Sequence, residues 1–174
     1  MNDNTLSAGT APGGEPAWLP ADFAHPLRVD FGGGIFLRPI RAEDVDIDLV
    51  AVRENRDMLW EQYGEAWDWP PLDLSRESDR EDLARHAEEV ERHESFNYAI
   101  LSAEDGSNAQ RLLGCVYIDP PGPPHGDGSA CEAEVSWWCV ADAPTELSEG
   151  LGAFVRGWIA ERWPFAAPCT PFND

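Results

Sequence analysis

The stretch CEAEVSWWCVADAPTELSEGLGAFVRGWI, residues 131–159, changes its hydrophobic period part-way along and so decides the fold class. From Cys131 to Val140 the side chains alternate with period two. Glu132, Glu134, Ser136 and Trp138 fall on one face of a strand, and Cys131, Ala133, Val135, Trp137 and Cys139 on the other. Beyond it, Leu147, Leu151, Phe154, Val155, Trp158 and Ile159 mark one side of an amphipathic helix that must stop before Pro164. A strand that runs on into a helix, each with an apolar side to bury, calls for layers of helix on sheet.

Working outward, Leu112 to Ile118 reads as a strand returning against Phe96, Tyr98 and Ile100, with the Asp-Gly turn chemistry of AEDGSN (103–108) between them. The segment PPGPPHGDGS (120–129) has no periodicity and is expected to be an exposed, mobile loop. Ser78 followed by Glu81 has the pattern of a capping box, opening a helix with Leu83, Ala87 and Val90 on one face and ending near Glu94. Glu43 and Asp44 favour a helix start, and Val45, Leu49, Val52 and Leu59 carry its apolar face to Tyr63, with one expected break. In GEAWDWPPLDL the prolines end that helix and leave Trp67 and Trp69 on a loop, where the rings either line a pocket or plug the core.

Nearer the start, Leu27–Phe31, the glycines 32–34 and Ile35–Leu37 form an entry hairpin. No helix follows those glycines and the GxGxxG spacing is absent, so they make a turn rather than a phosphate loop. Residues 1–26 are expected to be a flexible tail with Trp18 and Phe23 as its anchors, and 27–174 a single domain. The whole is a mixed α/β (α+β) fold, a mostly antiparallel sheet with helices on both faces.

Charge excludes several functions. Thirty-three acidic residues stand against twelve basic ones, all Arg, for a net charge of −21. Such a chain repels nucleic acid and anionic membranes, and no apolar run reaches the ~18 residues of a spanning helix. The first twenty residues lack the basic start and apolar stretch of a secretory signal, which makes cytoplasm the expected compartment. Cys115, Cys131, Cys139 and Cys169 include no CxxC pair and are expected to be free thiols. His86 and His93 with Glu89 suggest a shared metal in outline, but the mixed charge of RHAEEVERHE fits a solvated helix face, and no metal is expected.

Four segments in this order, FLRPIRAEDV, FNYAIL, RLLGCVYI and EAEVSWWCV, give the chain a resemblance to the GNAT N-acetyltransferase superfamily over roughly residues 35–170. The resemblance implies an acetyl group moved from acetyl-CoA to a primary amine, on a small molecule or a peptide. It implies that the thioester arm lies along the backbone of the strand that ends in Trp138, Cys139 and Val140. It also implies a diphosphate held at the next helix start by the loop Q/R-x-x-G-x-G/A, matched here by Leu147-Ser148-Glu149-Gly150-Leu151-Gly152. Ser148, Gly150, Leu151 and Gly152 are the implied contacts. Leu147 departs from the pattern, and Glu146 and Glu149 place carboxylates where an anion would sit.

By the same resemblance Glu134 is the strand acid that takes the amine proton, a role suited to a carboxylate in a partly apolar cleft. Read from the residues alone, Tyr98 and Tyr117 are the phenols left on strands: whichever faces the cleft would give a proton to the leaving thiolate, with Tyr117 the candidate, and otherwise both are packing residues with a polar tip. Cys139 as an acyl-carrying nucleophile lacks a matched His. Trp60, Trp67 and Trp69 are expected to hold the acceptor. Between Ile40 and Ser95, 18 acids against seven Arg would attract a cationic amine, or merely keep the surface soluble. The alternative is a non-catalytic binding or assembly module of the same fold. A sheet one or two strands short of the family's usual size implies a homodimer, unless the N-terminal segment covers the exposed surface.

Overall fold

The computed structural model describes residues 17–103, 109–122 and 131–173. Residues 1–16, the Asp-Gly turn and most of the Pro/Gly loop lie outside the described residues. Five strands form one antiparallel sheet in the order β1 (Val29–Gly32), β2 (Ile35–Pro39), β3 (Phe96–Ser102), β4 (Leu112–Asp119) and β5 (Glu134–Cys139). The entry hairpin turns through Gly32, Gly33 and Gly34, whose φ values of 119°, 61° and 80° suit residues without a Cβ.

A 3-10 turn at Ala42–Asp44 leads into α1 (Val45–Glu54), followed by α2 (Arg56–Trp67) and α3 (Arg76–Glu91), and α4 (Thr145–Arg162) follows β5. Arg38 of β2 grips Asp44 with two bonds of 2.8 Å, an enclosed fork-to-carboxylate pair that sets the angle between strand and helix. The expected break falls at Asn55. Its amide donates to the Ala51 carbonyl at 2.8 Å, and its Oδ1 accepts from Ala141 N–H at 2.8 Å, tying the break to the chain leaving β5.

Two helix starts differ from the sequence expectation. α3 is capped by Ser75, whose hydroxyl accepts from Ser78 N–H while Ser78 Oγ accepts from Ser75 N–H, both at 3.1 Å. Ser78 is therefore the returning partner of the box, not its cap, because a hydroxyl can answer a hydroxyl across one turn. α4 begins at Thr145, ahead of the motif at Leu147, since Leu147 and Ser148 N–H already bond the Pro144 carbonyl at 2.9 and 3.0 Å.

Period two then distributes the sheet residues. Phe96 and Tyr98 face α4 and its exit, with Tyr98 4.9 Å from Trp158 and Phe96 4.8 Å from Trp163 between ring centroids. Asn97, Tyr117 and Asp119 face the other way, and Tyr117 lies 5.7 Å from Tyr63 of α2. Helices thus cover both faces, α1–α3 on one and α4 on the other.

Of the segment expected to be a tail, residues 17–26 lie against the α4 side. Trp18 stacks on Phe165 at 5.7 Å and donates to the His93 carbonyl at 2.9 Å, Phe23 lies 5.1 Å from Trp163, and Leu19 is buried. His93 follows the end of α3 and pairs with His25 at 3.0 Å, so it shares no site with His86.

The cysteines need a correction. Cys131 and Cys169 form a disulfide, while Cys115 and Cys139 remain thiols. Residues 167–169 run parallel to the chain entering β5, with Glu132 N–H to Ala167 O, Cys169 N–H to Ala133 O and Val135 N–H to Cys169 O at 2.8–3.0 Å. This pairing brings together two cysteines 38 residues apart in sequence, with their Cα atoms at 5.6 Å.

Candidate active site

On the face covered by α1–α3 lies a cavity of about 450 Å³. Its floor is made of Asn97, Tyr117, Asp119 and Glu134, held in register with Asp119 opposite Glu134 and Tyr117 opposite Asn97. Its walls are Asp48 from α1, Trp67 and Trp69 from the end of α2 and the loop after it, and Asp79, Asp82, Arg85, His86 and Glu89 from α3. α2 ends at Asp68 in the left-handed conformation (φ 51°), and Trp67 and Trp69 on either side of it both line the cavity.

Trp60 is separated from the other two tryptophans. It is 39% exposed, lies over Gly64 and under the Arg56 guanidinium, and does not line the cavity. Trp67 stacks on Tyr63 at 4.4 Å and meets Tyr117 edge-on at 5.5 Å, so it is both wall and packing. Tyr98 is on the opposite face and donates to the Pro26 carbonyl at 2.8 Å. Tyr117 faces the cavity and accepts from Trp138 Nε1 at 2.9 Å, and burial holds its phenol far above the ordinary range.

Glu134 Oε1 accepts from Gly122 N–H at 3.0 Å. Directly across the ladder from it, Asp119 has its pKa pushed up to about 7 by burial, with the charges of Glu134 and Glu89 adding to the effect. Sequence reasoning missed Asp119. The signal lay only in the pairing, since a carboxylate at the end of β4 gains a like-charged neighbour once β5 is in register. At the other end of the cavity Asp48 and Asp79 face each other. Burial, then the Asp79 charge, raises Asp48 well above the usual carboxylate range, and burial raises Asp79 to about 6. Arg85 bonds Glu89 at 2.9 Å and Asp82 at 3.3 Å, and His86, its pKa lowered by burial, bonds Glu89 at 3.0 Å.

The β4–β5 register also sorts the strand backbone. Val140 N–H bonds Leu113 O at 2.9 Å, so by alternation Trp138 and Ser136 also spend their backbone groups on β4. Val135, Trp137 and Cys139 present theirs to the outer edge. There Val135 pairs with Cys169, and the Asn173 carboxamide bonds both Trp137 N–H at 3.0 Å and Trp137 O at 2.9 Å. Gln62 also donates to Trp137 O at 3.0 Å. Of the residues Trp138, Cys139 and Val140, only Cys139 turns its backbone outward.

In α4 the motif lies inside the helix. Ser148 occupies the first turn, with its Oγ donating to Thr145 O at 3.1 Å, while Gly150, Leu151 and Gly152 fall in the second turn, where N–H groups are spent within the helix. Leu147 and Leu151 are buried and Gly150 lies against Phe31. The free N–H groups of this helix start belong to Thr145 and Glu146, and the Glu146 carboxylate is in the same turn.

This five-stranded antiparallel sheet with helices on both faces has the fold of the GNAT N-acetyltransferases. Solved structures that share it include the ribosomal L7/L12 alpha-N-protein acetyltransferase RimL in complex with coenzyme A, 16% identical, TM-score 0.53, covering 75% of this chain and 67% of that one. A ribosomal-protein-S5-alanine acetyltransferase from Vibrio fischeri is 13% identical, TM-score 0.52, covering 77% and 67%. The microcin C7 self immunity acetyltransferase MccE, in complex with acetyl-CoA and AMP, is 10% identical, TM-score 0.54, covering 77% and 67%. The chain spans about two thirds of the length of such proteins, 65% for apo RimL. No protein-family model matches the sequence, and no curated protein matches it significantly.

Proposed function

We propose that the protein is an N-acetyltransferase that moves an acetyl group from acetyl-CoA to a primary amine. The observation that carries the reading is the Asp119–Glu134 pair, with Asp119 poised to about 7 at the floor of a tryptophan-walled cavity. The strand edge suits the amide-bearing arm of the donor. Trp137 already bonds a carboxamide, that of Asn173, through both its N–H and its carbonyl, and Cys139 is the next outward residue. The start of α4 suits a diphosphate less well, since two N–H groups there share their turn with Glu146.

Bound along that edge, acetyl-CoA supplies an acetyl thioester as the electrophile. The chain's part is to manage protons. Asp119, with Glu134 across from it, takes the proton of the incoming ammonium so that the nitrogen lone pair is free. A carboxyl near 7 is half ionised at neutral pH and matched to that task. Tyr117, whose proton is held by burial, presents O–H as a donor to negative charge developing on oxygen or sulfur. Trp67 and Trp69 exclude water and present ring faces to a cation. The acceptor is a small molecule or peptide amine, and the acidity of the surface argues for a positively charged one.

A second reading, a non-catalytic module with a degenerate donor site, is favoured by Asn173 on the Trp137 edge and Glu146 at the helix start. Calorimetric titration with acetyl-CoA, followed by release of free thiol in the presence of an amine panel, separates the two. Binding near micromolar, about −8 kcal/mol, with thiol release supports the transferase. No heat at millimolar acetyl-CoA supports the module.

A further inference from the structure

The carboxylates at the α1–α3 end of the cavity have no place in the proton transfer. The cations around them make their hydrogen bonds elsewhere, Arg53 to the Leu74 carbonyl while its charge still reaches Asp79, Arg85 to Glu89 and Asp82, and His86 with Glu89. Asp48 and Asp79 face each other and share a carboxyl–carboxylate hydrogen bond, in which the protonated Asp48 donates to Asp79. Asp79 is 4% exposed and its Oδ2 has no hydrogen-bond partner. Independently, Asn97 on β3 is 5% exposed, lines the same cavity, and its Oδ1 also has no partner. A buried acceptor without a donor is unfavourable, and two of them lining one space suit a group that brings several N–H donors.

We propose that the acceptor is a free aliphatic diamine: one nitrogen is acetylated beside Asp119 and Glu134, while the second, as ammonium, is held by Asp79 Oδ2 and Asn97 Oδ1. This rests on the acetyl-transfer reading of the same cavity. An ammonium has three donors and no acceptor, the complement of two orphan oxygens and the Asp48–Asp79 pair. Asn97 sits one strand across and two residues along from Asp119, on the order of 8 Å between Cα atoms from strand spacing and rise. That separation suits nitrogens joined by a chain of about four carbons. Trp67 and Trp69 cover the alkyl portion. An N-terminal peptide with a neighbouring lysine would carry two ammonium groups too, but it brings further C=O acceptors beside Asp79 Oδ2 and Asn97 Oδ1, which need donors.

The test titrates 1,4-diaminobutane and 1-aminobutane into the full chain at pH 8 without any acyl donor, so its outcome does not depend on transfer. The expected result is at least tenfold tighter binding of the diamine. Asp79→Asn should abolish that preference, with circular dichroism confirming the fold. Asn97→Asp, which adds a charge at the same place, should widen it. Equal affinity for the two amines, a preference that survives Asp79→Asn, or tighter binding of an alanyl-lysine amide would overturn the proposal. Diamine preference without thiol release from acetyl-CoA would leave the cation site standing and refute the transferase reading, whereas transfer to monoamines and diamines alike would do the reverse.

Discussion

Replacing Asp119 by Asn removes a carboxyl that the fold holds against its preference, and the consequence for stability follows from linkage. In the unfolded chain the group ionises near 3.8; in the folded protein burial, Glu134 and Glu89 keep it protonated to about 7. A raised acid pKa means that the native state binds the extra proton across this window, so stability falls as pH rises from about 4 to about 7 and then levels off. Three pKa units correspond to about 4 kcal/mol, an upper limit given water near the cavity mouth, with a slope of at most ~1.4 kcal/mol per pH unit. Asp48 and Asp79 act in the same direction, so the wild-type profile alone does not isolate Asp119. The difference between wild type and variant does. Urea unfolding at pH 4.5, 6, 7 and 8.5 should find Asp119→Asn gaining on wild type by a few kcal/mol at pH 8.5 and by almost nothing at pH 4.5. In the same variant thiol release should fall ~10² to 10⁴-fold, and the wild-type rate should climb with pH through about 7. Stability curves that run parallel across the range would refute the placement of a protonated carboxyl opposite Glu134.

Glu134→Gln should lower turnover by ~10² to 10⁴-fold with acetyl-CoA affinity unchanged, measured by steady-state kinetics beside calorimetry; equal losses in both would make Glu134 a binding residue instead. Glu146→Arg should tighten acetyl-CoA binding about three- to tenfold by replacing a carboxylate with a phosphate donor at the α4 start, and an unchanged affinity would place the diphosphate elsewhere. Gly114→Ala should cost more than ~3 kcal/mol in denaturant melts, because at φ 155° its Cβ would lie 2.0 Å from the Trp138 carbonyl oxygen of the partner strand. Light scattering at tens of micromolar should give twice the 19.3 kDa chain mass if the protein is a homodimer. A monomer mass would leave the packed Trp18 and Phe23 segment as the cover.

Much of the architecture is written in periodicities that are local geometry. Alternation over 132–139 assigns Glu134, Ser136 and Trp138 to one face because a pleated strand has no other way to place them, and the structure puts them beneath α2 and α3. The break near Asn55 and the glycine hairpin are likewise legible, since residue types there restrict the backbone without help from elsewhere. Other features depend on partners distant in sequence. The helix starts moved by two or three residues because Ser75 and Pro144 compete with equally suitable neighbours for the first N–H groups, and only packing settles which wins. Trp60 left the cavity because a helix face, not a residue type, decides where a ring points. The Cys131–Cys169 bond needed a parallel pairing that no spacing announces, and Asp119 became a candidate base only when register set Glu134 beside it and helices shut out the water. Charge and period are properties of the chain; a shifted pKa, an orphan oxygen and a disulfide belong to what the chain brings together.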